Sequence, residues 1–149
     1  SLIYFSKDSV VELHNNPVIW KELNQLSANN ISLIQKSNAP DELHMKDNSF
    51  IISRQDSGKY DQIKGKEMIG FVIDGELKRV NVDGNGQTLY YARDEQATIG
   101  INRAESSNIS IRFVKGKINS IIFRTSPEGE LKPLENLEFR YKRGWARFR

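Results

Sequence analysis

Asn108-Ile109-Ser110-Ile111-Arg112-Phe113-Val114 is the stretch that decides the fold class of this chain. Ile109, Ile111 and Phe113 share one side of an extended backbone, and Ser110 and Arg112 take the other. A period of two with β-branched and aromatic residues is the pattern of a strand buried on one face. The same alternation recurs at Ile31 and Leu33 around Ser32, and at Val80 and Val82 around Asn81. Between these runs lie Asn38-Ala39-Pro40-Asp41, Asp74-Gly75, Asp83-Gly84-Asn85-Gly86, Lys115-Gly116-Lys117 and Ser126-Pro127-Glu128-Gly129. Glycine, proline and asparagine supply the backbone angles that tight turns require, and Asp83 to Gly86 reads as an Asn-Gly hairpin turn. Helical periodicity is poor. Only Trp20 to Leu26 reads as a possible short turn of helix.

The strands also repeat. Ile31, Met68 and Ile109 are spaced by 37 and then 41 residues. The same two offsets carry Leu43 to Val80 and Ile121, Met45 to Val82 and Phe123, and Ala28 to Gly65 and Ser106. Asn48 maps onto Asn85 and Ser126, all within turn-forming segments. Each unit thus reads as strand, tight turn, strand and longer turn, over roughly residues 16–53, 54–94 and 95–135. One such unit cannot cover its own apolar face, so neighbours must share a core. The expected architecture is all-β, a twisted antiparallel structure with two facing sheets or one curled sheet. Its edge strands remain available for pairing. Gly70 stands where the other copies carry Leu33 and Ile111, which removes one inward side chain and marks either a bulge or a widened interior.

The 149 residues are 38% hydrophobic and 28% charged, a globular composition with room for a real core. No apolar run is long enough to cross a bilayer as a helix. The absence of cysteine excludes thiolate catalysis, cysteine zinc sites and disulfides. Residues 137–149 hold Arg140, Lys142, Arg143, Arg147 and Arg149 against the single Glu138, a net +4, so the rest of a chain of net charge +3 is close to −1. The basic character belongs to this tail. Its interleaved Phe139, Tyr141, Trp145 and Phe148 suit an anionic surface, or a last alternating strand over Leu137 to Tyr141.

Chemical motifs fail one after another. Asn81, Asp83, Asn85 and Gly86 match the first half of a calcium loop, but its twelfth position is Ala92 rather than glutamate. The Gly-x-Gly there has no third glycine and no following helix to cradle phosphate. His14 and His44 are isolated, and Asp94, Glu95, Glu128 and Glu130 lie in turns, where solvated charge is the ordinary state. Asn30-Ile31-Ser32 and Asn108-Ile109-Ser110 fit the glycosylation sequon at equivalent repeat positions, which the repeat explains as well. The reading is of a binding domain, with no enzyme and no cofactor.

A family resemblance sharpens that reading. The run Met68-Ile69-Gly70-Phe71-Val72-Ile73-Asp74-Gly75-Glu76-Leu77 through Thr88 resembles the repeat of OstA-like (organic-solvent-tolerance) proteins of Bacteroides type. Gly100-Ile101-Asn102-Arg103-Ala104 through Ile111 does so too, and Asn16-Pro17-Val18-Ile19-Trp20 through Leu33 more weakly. The resemblance spans residues 1–136, with the arginine-rich tail outside the pattern. It implies an open, V-shaped β-jellyroll of the periplasm that transports lipopolysaccharide, and an exported chain of this kind is expected to have had its signal peptide removed or cropped. The partners it implies are lipopolysaccharide or a related lipid, and other envelope transport proteins or a second copy, joined end to end through edge strands. Nucleic acid is not expected. The ligand-binding inner face is expected to comprise Ile31, Leu33, Met68, Val80, Val82, Ile109, Ile111, Phe113 and Phe123.

Overall fold

A computed structural model describes residues 3–5, 9–55, 59–93, 98–124 and 131–133, with side chains over 9–55, 59–91 and 103–124. The strands are β1 (Ile3–Phe5), β2 (Val10–Leu13), β3 (Val18–Lys21), β4 (Asn24–Ser27), β5 (Asn30–Ile34) and β6 (Asp41–Arg54). They continue as β7 (Tyr60–Ile73), β8 (Glu76–Arg93), β9 (Thr98–Val114), β10 (Lys117–Arg124) and β11 (Leu131–Pro133). All pair antiparallel in one open sheet, and the described residues contain no helix. Residues 125–130 and 134–149, with the Ser126 turn and the basic tail, lie outside the described residues.

The register sets the inward residues in continuous rows. Ile31, Met45, Met68, Val82, Ile109 and Phe123 stand opposite one another in turn across β5 to β10. Leu33, Leu43, Gly70, Val80, Ile111 and Ile121 form the next row. Cross-strand neighbours of this kind are the unit of sheet stabilisation, because each buries the flank of the next. A Cβ on Gly70 would lie 3.2 Å from Leu77 Cδ1 and 3.5 Å from Leu43 Cβ. Leu77 therefore fills the space expected to widen there, and the nearby irregularity lies between Phe71 and Val72.

A second line of residues bends the sheet. The pairing slips between Lys46 and Ser49, between Lys64 and Glu67, and between Asp83 and Gly86. Asp47, Asn48, Gly84 and Asn85 have φ of 62°, 53°, 85° and 52°. Such angles suit glycine and asparagine, and an extra residue in a ladder bends and twists the strand. The segment Asp83 to Gly86, expected as a hairpin turn, is instead a bulge inside the 18-residue β8. Asn15 and Asn16, at φ 68° and 57°, make the same bend between β2 and β3. Asp74-Gly75 and Lys115-Gly116 are hairpin turns as expected, and both residues of each have positive φ. Trp20 to Leu26 is not helical. It is the β3–β4 hairpin, in which Ile19 pairs with Leu26, and Leu26 pairs onward with Ile51. That long-range pairing buries Leu26 completely, outweighing any local helical preference.

Beyond the bend, β3, β4 and the far halves of β6 to β9 form a second half-sheet. Its free end returns to the first half. Asn24 Nδ2 donates to the Gly116 carbonyl at 2.9 Å, and the Leu77 amide donates to Glu22 Oε1 at 3.3 Å. The two halves consequently share one core, in which Leu26, Ile51 and Ile63 join Met45, Val80 and Ile111.

Candidate functional site

Eight of the nine residues expected to line a ligand-binding face are at most 3% exposed: Ile31, Met68, Val80, Val82, Ile109, Ile111, Phe113 and Phe123. All eight belong to the closed core shared by the two halves. Leu33 differs. It is half-buried, packs against the edge of that core and lines an apolar cleft of about 420 Å³.

The cleft lies where the cover of the core ends. Val11 stands opposite Leu33, and Leu33 opposite Leu43, so β2, β5 and β6 supply one wall. Leu13 of the neighbouring row and Val72 of β7 extend it. Ile19 of β3 lies on the other half-sheet and forms the facing wall. Leu13, Ile19, Leu33 and Val72 remain partly accessible while packing against the core, so one apolar surface runs from the closed interior to the opening. Trp20, Lys21, Asp41 and Glu42 stand at the rim. Apolar walls with a few polar groups at the mouth, at this volume, are usual for a site that takes a small apolar group.

Val11, Leu13 and Ile19 were absent from the expected site. β2 and β3 are four residues each, too short for their alternation to stand out, and they fall outside the repeat offsets. Deeper in the second half-sheet the inner face turns polar, with Asn24, Ser53, Asp61 and Thr88 fully buried. Asp61 Oδ1 accepts from the Tyr91 amide at 2.9 Å.

Charge at the rim is organised by Glu42. Lys36 Nζ donates to its Oε2 at 2.6 Å, and His44 Nε2 lies 2.7 Å from its Oε1. The Lys36 ammonium first, then His44, holds the Glu42 carboxyl below the usual glutamate range. A carboxylate lowered in the folded state stabilises fully above its unfolded pKa and loses that contribution as pH falls through the folded value. Glu42→Gln is therefore expected to reduce stability at neutral pH by less than about 1 kcal/mol, since Lys36 is well solvated. Thermal melts against pH should show the two proteins converging below the usual glutamate range, and a constant gap would refute the assignment.

No protein-family model matches the chain, and no curated protein matches it.

Proposed function

We propose that the chain is a non-catalytic carrier domain of the bacterial envelope, of the OstA-like type. In this reading it takes acyl chains of lipopolysaccharide or a related lipid into the cleft bounded by β2, β5 and β3, in the periplasm. The observation that carries it is the cleft itself: Val11, Leu13, Ile19, Leu33, Leu43 and Val72 line an apolar opening continuous with the core. Each methylene moved from water into such a surface contributes about 0.8 kcal/mol. An acyl chain is the ligand that gains most there, while the charged rim faces the polar part of the same molecule. The repeated unit supports the reading. Ile31, Met68 and Ile109 alternate with Met45, Val82 and Phe123 along one row, an arrangement compatible with units related by the two offsets.

A second reading draws on β3. Among the described residues it pairs with β4 alone, and its Val18 and Trp20 are 50% and 53% exposed. An exposed edge strand with large apolar side chains invites strand addition, so the domain would act as a module assembling through this edge without lipid.

Photocrosslinking separates the two. A benzophenone side chain in place of Leu33 is expected to capture lipopolysaccharide, while one in place of the exposed Arg124 is not. Capture of a second copy from Trp20, with no lipid captured from Leu33, would establish the edge reading and sink lipid carriage.

A further inference from the structure

On the solvent side of the first half-sheet, Arg79 stands directly opposite Arg112. Each alternates with core residues, Arg79 beside Val80 and Arg112 between Ile111 and Phe113, so both side chains face outward. Like charges opposed across a ladder are destabilising. Among the described residues neither guanidinium has an ion pair, and the Arg79 guanidinium lies over the Phe71 ring, 4.5 Å from its centroid. That stacking holds one cation in place beside the other. Both border a hollow of about 370 Å³ that also touches Phe71, Ile73, Val114 and Asn119.

Ile73 and Val114 are 43% and 52% exposed and end the strands leading into two hairpins. Lys115 and Lys117 add exposed positive charge at the second hairpin. The acids nearby are Asp74 and Glu76 on the first hairpin, Glu22 beside Gly116, and Glu42, which stands opposite Phe71 in the same row and is held by Lys36 and His44. Glu76 is engaged by Lys78 at 2.7 Å, and Glu22 accepts from the Leu77 amide, so neither neutralises the arginines.

We propose that this end of the first half-sheet docks on an anionic lipid bilayer, with Arg79 and Arg112 binding lipid phosphates. The bare cations and the exposed aliphatic groups point to one occupant together. A free phosphate would satisfy the guanidiniums but leave Ile73 and Val114 in water. The head-group boundary of a bilayer takes both, phosphate against arginine and aliphatic tips against the upper acyl region. This surface is on the opposite face of the sheet from the lipid cleft and does not depend on it.

Sedimentation with vesicles of phosphatidylglycerol and phosphatidylcholine in equal parts tests the proposal, with pure phosphatidylcholine vesicles as reference. The chain is expected to sediment with the mixed vesicles at low salt and not with the neutral ones. Arg79→Gln/Arg112→Gln should weaken partition about 30-fold, at the usual worth of a cation near an anionic surface. Ile73→Ser/Val114→Ser should weaken it about tenfold through lost apolar insertion. Each variant's melt is recorded to show that it is folded, and the single Arg112→Gln variant replaces the double one if that unfolds. Equal binding to both vesicle types, or wild-type binding by the arginine variant, overturns the proposal. Full binding by Ile73→Ser/Val114→Ser, with release by inorganic phosphate at constant ionic strength, would overturn the bilayer as occupant in favour of a bare anion site.

Discussion

Phe123→Ala is expected to cost about 3–5 kcal/mol of folding stability, which is a large part of the total for a domain of this size. Phe123 is 2% exposed and is the last buried apolar residue of the row that runs from Ile31 through Met45, Met68, Val82 and Ile109. Its ring closes the core on the β10 side, where β11 pairs with the same strand. The backbone ladder of β9 and β10 limits how far the surroundings can collapse into the space left by the ring, so a cavity cost adds to the lost transfer free energy. Ile122→Ala, on the opposite face and half-buried, should cost clearly less. Urea unfolding should show a lower midpoint with an unchanged slope. A loss below about 1 kcal/mol for Phe123→Ala would show that this row does not close the core.

Gly65→Ala is the second large effect expected, and it tests the bend rather than the core. A Cβ on Gly65 would overlap Val82 Cγ1, while the Gly84 carbonyl oxygen lies 3.6 Å away. Val82 is 2% exposed and packed between Met68 and Ile109, and a β-branched side chain has few rotamers to retreat into. Inserting the methyl should destabilise by about 1–3 kcal/mol. In a Val82→Ala background the conflicting methyl is gone, so the penalty of Gly65→Ala should largely vanish. The double-mutant cycle is expected to give a coupling of about 1 kcal/mol or more. Penalties that simply add would mean that the bend tolerates a side chain and that glycine is not required there.

The inward face of the strands that carry Ile31, Val80 and Ile109 is legible because period two assigns it without knowledge of the partners. Alternation places Ile109, Ile111 and Phe113 inward, and they are buried. What alternation cannot show is whether the face is covered, since a closed core and an open groove demand the same side chains. The cover depends on where β3 and β4 fold back, and that is fixed by contacts such as Asn24 to Gly116, 92 residues apart. The Asp83 to Gly86 segment shows a different ambiguity. Positive φ asks for glycine or asparagine both in a hairpin turn and in a bulge, and only the pairing of the flanking residues distinguishes them. Val11, Leu13 and Ile19 escaped for a third reason: four-residue strands carry too few alternations to be read, and the repeat offers them no counterpart.

We propose that the accessible end of the inner face, rather than its middle, receives lipid. Leu13 and Ile19 lie on opposite walls of the cleft, one on each half-sheet. Benzophenone photocrosslinkers introduced singly at these two positions, in cells that make lipopolysaccharide, test this most directly. The account predicts that both positions capture lipopolysaccharide and that a crosslinker in place of Val80, fully enclosed in the core, captures none. Capture at neither Leu13 nor Ile19 in a folded protein would contradict it.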